Sequence, residues 1–147
     1  MNTAMLGERL IIANRADELR RMSRWLGCAS ARMGLAANEA FNLDVCANEA
    51  VFNIISYAYD DDQPHEITLD LTRTDTGVRL TIRDSGKPFN PLTGPAHQGA
   101  LRLEEARAGG LGIHLLRQLA PGSAYRRING INELSLDAWR DSPRRDA

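Results

Sequence analysis

A chain of 147 residues, 43% hydrophobic and 25% charged, has the size and composition of one ordinary folded domain. At that length it can bury roughly two-thirds of the surface its unfolded form exposes. Its 18 Lys and Arg against 19 Asp and Glu leave a net charge of -1, without the basic surplus that nucleic acid or an anionic membrane attracts. Residues 1–8 hold no basic segment followed by an apolar run, and no apolar window approaches the ~20 residues of a membrane span, so the expected compartment is the cytoplasm. Cys28 and Cys46 lie in apolar helical stretches with no Cys-x-x-Cys or histidine spacing. Neither zinc nor a disulfide is indicated, and both are expected to be reduced and buried.

Leu10, Ile11 and Ile12 form a short apolar run, after which Leu19, Met22, Leu26 and Ala29 recur at steps of three and four. A strand followed by an amphipathic helix is the reading. Gly34 interrupts that pattern, and a second helix is expected from about 38 to 59, apolar nearly all round, with Phe41, Val45, Phe52, Ile55 and Tyr59 along one stripe. Ile67, Leu69 and Leu71 alternate with polar residues, as do Val78, Leu80 and Ile82 beyond the Asp75-Thr76-Gly77 turn; these predict two antiparallel strands. From 85 to 108 the chain is rich in Gly, Pro and Ala with no long period, the mark of a functional or disordered loop. A last helix at 111–119 precedes two strands, 125–128 and 133–136, with Asn129-Gly130 between them as a hairpin turn. The polar residues 140–147 read as a frayed tail.

Three places carry more chemistry than structure requires. On the long helix Glu49 and Asn53 are four residues apart and share a face, with Asn42 within about 30 degrees of both at 3.6 residues per turn. A carboxylate and an amide oxygen on one rigid face suit a hard cation such as Mg²⁺, or proton abstraction beside it. Taken singly, Glu49 reads equally well as a carboxylate that surfaces between buried neighbours.

The second place is Asp84-Ser85-Gly86-Lys87-Pro88-Phe89, directly after a strand. A carboxylate fixed at a strand end can accept a hydrogen bond from an exocyclic amine, and Gly86 would let the backbone approach a flat ring such as adenine. An ordinary Asp-Gly turn remains the plain alternative. A Walker-type phosphate loop is excluded, since Pro88 and Thr81 occupy positions that require Ser or Thr and Gly.

The third place is Gly109-Gly110-Leu111-Gly112, opening a helix. Glycines there expose backbone N–H groups to an anion at the positive end of the helix dipole, as phosphate sites do. The spacing does not fit Gly-x-Gly-x-x-Gly, and no strand leads into it, which argues against a dinucleotide-binding fold.

In this order and spacing the segments resemble the nucleotide-binding boxes of the GHKL superfamily, and within it the bacterial anti-sigma-factor serine kinases. Asn48-Glu49-Ala50-Val51-Phe52-Asn53 with Ala58-Tyr59 is similar to their N box. Asp84-Ser85-Gly86-Lys87-Pro88-Phe89-Asn90-Pro91 and Gly109-Gly110-Leu111-Gly112-Ile113 resemble the two glycine boxes, and Asn132-Glu133-Leu134 sits where the family has an Asn before an apolar strand.

The resemblance implies a two-layer α/β sandwich with a mixed, mainly antiparallel sheet. Residues 1–139 would form one ATP-binding domain, with a lid at about 90–108. It further implies that Asn53 ligates Mg²⁺, Asp84 reads the adenine amine, and Gly86 and Phe89 lie against the nucleotide. Gly109, Gly110, Leu111 and Gly112 would hold the phosphates, and Glu49 would act as general base toward an attacking hydroxyl. The implied partners are a STAS-domain anti-sigma-factor antagonist as substrate, a sigma factor, and a second copy of the chain, since related proteins are often dimers. Tyr57 stands where the family often has His, and Pro121 where it has Asp; neither is expected to touch nucleotide. In the lid, Arg102 and Arg107 would either approach the γ-phosphate or belong with Glu104 and Glu105 to a solvated charged face. A nucleotide-dependent binding module that transfers no phosphate is the alternative from another class. A detached histidine-kinase catalytic domain is disfavoured, because the chain has no histidine-bearing dimerisation helix and His65-Glu66 sits in a strand pattern.

Overall fold

The computed structural model describes residues 7–92, 116 and 119–139. The expectations for Gly109, Gly110, Leu111, Gly112 and Ile113, for the charged lid residues from 102 to 107, and for the tail lie outside the described residues. The elements run β1 (Gly7–Ala13), α1 (Leu19–Arg32), α2 (Ala37–Tyr57), β2 (Glu66–Arg73), β3 (Gly77–Asp84), β4 (Ala124–Ile128) and β5 (Ile131–Trp139), with a 3-10 turn at Ala16–Glu18 leading into α1. Five strands form one sheet in the order β1-β2-β3-β5-β4, and each described pairing is antiparallel. Helices pack on one face of it, giving the two-layer α/β arrangement expected from the sequence.

Alternation along the strands sets the two layers. Ile67, Leu69 and Leu71 of β2, Val78, Leu80 and Ile82 of β3, and Leu134, Leu136 and Ala138 of β5 all point to the helical side and are buried. Met22, Leu26 and Ala29 of α1 close the core from above, together with Leu43, Cys46, Ala47, Ala50 and Val51 of α2. Between β4 and β5, Asn129 and Gly130 hold φ of 53° and 80°. Two successive positive φ values fit the type I′ turn whose twist matches the flanking strands.

Two expectations are corrected. The stripe of Phe41, Val45, Phe52 and Ile55 is not the core face of α2: Phe41 is 67% exposed, and Tyr59 lies beyond the helix, which ends at Tyr57. The sheet selects the competing face, whose small residues Ala47 and Ala50 let the helix backbone come close. Cys28 is exposed on α1, whereas Cys46 is buried as expected. No helix among the described residues is long and apolar enough to cross a membrane.

The two faces of α2 predict opposite mutational outcomes. Leu43→Ala, on the buried face, lowers unfolding free energy by about 2–5 kcal/mol, whereas Phe41→Ala changes it by less than about 0.5 kcal/mol. Denaturant titration of the two variants measures both.

Candidate nucleotide site

The site forms where the C-terminal end of α2 meets the loop that follows β3. Lys87 N–H donates to the Ala58 carbonyl (2.8 Å), which α2 leaves open at its end. Ser85 N–H donates to the Tyr59 hydroxyl (3.0 Å), and the Lys87 ammonium meets the Asp60 carboxylate at 3.0 Å. Gly86 allows this fastening: a Cβ there would lie 2.5 Å from the Ala58 Cβ and 2.6 Å from its carbonyl oxygen. Gly86 therefore meets helix α2, and the lining of the adjacent cavity does not include it.

Helix, loop and sheet enclose a cavity of about 380 Å³, within the range of small-molecule sites. Ala50, Ile54, Ile82, Leu134 and Phe89 give it apolar walls, while Asn53 and Asp84 supply polar groups from opposite sides. Asp84 is 6% exposed. Its Oδ1 accepts from Gly86 N–H (2.8 Å) and Asn132 Nδ2 (3.1 Å), and Oδ2 accepts from none of the described residues. Burial pushes the Asp84 carboxyl above its ordinary value; the bonds from Asn132 and Gly86 and the nearby Arg127 charge offset only part of that rise. Asn53 is 5% exposed and lines the same cavity.

Of the residues singled out in the sequence, Asn53, Asp84 and Phe89 come together around this cavity. Glu49 sits one turn before Asn53 on α2, half-buried, and is not among the lining residues. Burial raises its carboxyl above the ordinary value. The neighbouring Cys46 thiol is pushed up to about 12, by burial first and by the Glu49 charge second.

Among the lining residues that the sequence reading did not assign to the site are the polar side chains of Tyr57, Tyr125 and Asn132. Tyr57, expected to stand clear of nucleotide, is on the wall because the last turn of α2 borders the cavity. Asn132 carried a readable signal. It is in phase with Leu134, Leu136 and Ala138, so strand alternation puts a polar side chain on the core face, where it needs partners.

These residues fit a bound adenine nucleotide. The cavity is flat-ring sized and apolar, and its one buried carboxylate retains an acceptor oxygen for an exocyclic amine. Among the described residues no three His, Cys, Asp or Glu side chains cluster to hold a metal. A Mg²⁺ ion is carried largely by phosphate oxygens and water, and the amide oxygen of the cavity-lining Asn53 is a ligand of the hard type such an ion takes.

The histidine kinase-like ATPase domain family matches residues 12–137, and the chain belongs to that family. Within it the chain is similar to named protein kinases. It is 35% identical over 112 residues to the serine/threonine-protein kinase BtrW of Bordetella bronchiseptica, covering 76% of this chain and 79% of that protein. It is 30% identical over 93 residues to the serine-protein kinase RsbW of Oceanobacillus iheyensis, covering 60% and 58%. With RsbW of Bacillus subtilis it shares 25% identity over 115 residues, covering 72% and 69%.

Asp84 makes a prediction about stability. Its folded pKa is raised, so ionisation works against the fold. The contribution is most favourable in acid and is lost as pH climbs from the ordinary carboxylate value through the raised one. Asp84→Asn keeps an oxygen for Gly86 N–H and Asn132 Nδ2 without the buried charge. Its melting temperature should equal or exceed that of the wild type at neutral pH, and the difference should vanish in acid. A lower value at neutral pH contradicts this account.

Proposed function

We propose that the protein is a cytoplasmic serine/threonine protein kinase of the anti-sigma-factor type. It uses ATP with Mg²⁺ to phosphorylate a STAS-domain antagonist, and it sequesters a regulator such as a sigma factor as a homodimer. The observation that carries the reading is Asp84: a buried carboxylate with one oxygen uncommitted, facing an apolar cavity that also receives the Asn53 amide. The similarity to named serine kinases supports the activity.

In this reading Asp84 Oδ2 accepts the exocyclic amine of adenine, while Ile82, Leu134 and Phe89 shield the ring from water. Asn53 would hold the Mg²⁺ ion that accompanies the nucleotide, and that ion would supply positive charge to the phosphates. Glu49 takes the proton from the serine hydroxyl as its oxygen bonds to the γ-phosphorus and the bridging oxygen leaves with ADP. A carboxyl raised toward neutrality by burial is a better proton acceptor than an exposed one. Gly109, Gly110, Leu111 and Gly112 supply phosphate-facing N–H groups in the same reading.

A nucleotide-gated binding module without transfer is the second reading. The position of Glu49 outside the cavity lining favours it.

Transfer of labelled γ-phosphate from ATP to STAS-domain proteins of the same organism separates the two. The expected result is serine phosphorylation of one of them, reduced about 10²- to 10⁴-fold by Glu49→Gln. The wild-type rate should rise with pH through a value above the ordinary Glu range, a limb the variant lacks. ATP at 100 times its dissociation constant should stabilise the wild type by about 2.7 kcal/mol, an increment Glu49→Gln keeps and Asn53→Ala loses. Intact ATP binding with no transfer to any candidate would favour the binding module.

A further inference from the structure

Asn132 occupies a more constrained position than any other polar residue around the cavity. It is 6% exposed on the inward face of β5. Its Oδ1 accepts two hydrogen bonds, from the Tyr125 hydroxyl (2.5 Å) and from Arg127 Nη1 (2.9 Å). Its Nδ2 faces three acceptors: the Lys87 carbonyl at 2.8 Å, Asp84 Oδ1 at 3.1 Å and the Gly86 carbonyl at 3.4 Å. Arg127 Nη1 also donates to the Gly86 carbonyl (3.0 Å).

The donors and acceptors around this amide fix which end is which. Reversal would aim its carbonyl at three oxygens and its two N–H groups at a hydroxyl and a guanidinium, leaving buried polar groups unpaired. Both ends are therefore committed, one to strand β4 and the other to the Asp84 loop. The amide and Gly86 N–H together keep Oδ1 of Asp84 occupied by donors, which leaves Oδ2 as the acceptor without a partner among the described residues, on a side chain that lines the cavity.

We infer that Asn132, locked by Tyr125 and Arg127, is the positioning residue that makes Asp84 a pure hydrogen-bond acceptor and so sets the preference for a base carrying an exocyclic amine over one carrying a carbonyl. The inference rests on the nucleotide reading above and deepens it. An aminopurine offers a donor to Asp84, whereas a 6-oxopurine sets its own acceptor against the carboxylate, which a site with an unpaired buried group rejects strongly.

Asn132→Asp isolates the donor. It has nearly the same shape and keeps oxygens for Tyr125 and Arg127, but it sets a second carboxylate against Asp84. Two carboxylates at that distance share one proton, which lowers the negative charge on Asp84 and weakens the acceptor it offers to an amine. The experiment measures ATP and ITP affinities calorimetrically for wild type, Asn132→Asp and Tyr125→Phe, with thermal melts confirming the fold.

The wild type should prefer ATP over ITP by at least about tenfold, the value of one hydrogen bond to a charged group. In Asn132→Asp that preference should fall by about tenfold, and in Tyr125→Phe, which removes only the hydroxyl that orients the amide, it should narrow by a smaller factor. A structural role alone would weaken ATP and ITP together. Folded variants that retain the wild-type ATP to ITP ratio overturn the assignment while leaving the nucleotide site in place. If Asn132→Asp does not fold, an unchanged ratio in Tyr125→Phe overturns it. A wild type that binds neither nucleotide sinks the site reading and this inference with it.

Discussion

The geometry of the site depends on one close approach, that of Gly86 to the end of helix α2. Ala58 caps α2, and its carbonyl would be one of the unpaired acceptors of a helix end. The loop after β3 supplies the missing donor from Lys87, and can come near enough only because position 86 lacks a Cβ. The Tyr59 hydroxyl receives Ser85 N–H, and the Tyr59 ring stacks on His65 with centroids 3.8 Å apart. The connection from α2 to β2 is thus held against the connection from β3 onward. Asn53 belongs to the helix and Asp84 to the strand, so fastening these two elements fixes the span of the cavity. Had the helix end been satisfied by water, that span would vary with each motion of the loop.

A buried carboxylate at Asp84 is unfavourable for the fold and useful for a ligand. Desolvation raises its pKa, whereas an acceptor for an amine must be ionised or at least unprotonated on the oxygen it offers. The structure resolves the conflict locally: Gly86 N–H and the Asn132 amide both bind Oδ1, and Arg127 adds positive charge nearby. All three favour the charged form, and none occupies Oδ2. The fold therefore tolerates a strained electrostatic group where a ligand would relieve it, the usual location of such compromises.

Most of the fold was legible because strand alternation and turn chemistry are local signals. The β2 and β3 patterns and the Asn129-Gly130 hairpin emerged close to where residues alone put them. The face of α2 did not, since its sequence offers two apolar stripes and only the approach of the sheet chooses between them. The larger side chains of Phe41 and Phe52 suggested one stripe; the smaller Ala47 and Ala50 permitted the other. At the candidate site, Asn53 and Asp84 were singled out by residue type and position and Phe89 by the resemblance, and all three line the cavity. Gly86 was singled out for approach to a flat ligand, and the structure adds a second demand on it, the close contact with Ala58 at the end of α2; the two leave the same trace in sequence. Tyr57 and Tyr125 gave no such trace, as their place on the wall depends on how α2 and β4 meet across the sheet.

The opposite face of the sheet contrasts with the helical side in how its charges are paired. Arg9, Asp70, Arg83, Glu133 and Arg126 follow one another across all five strands, each paired with the next with alternating sign. Arg79 and Asp137 form a further rung between β3 and β5. These pairs are largely exposed and each contributes little to stability. Their effect is collective: both carboxylates in the row lie between arginines, so the row carries no single-sign field. On the inward face Glu8 of β1 is paired with Arg32 of α1, whereas Asp84 of β3 is buried with one of its two oxygens unpaired among the described residues. The same antiparallel sheet thus carries a row of paired charges on one face and, among the described residues, a buried carboxylate with an unmet acceptor on the other, and it is the second that offers a ligand a new hydrogen bond.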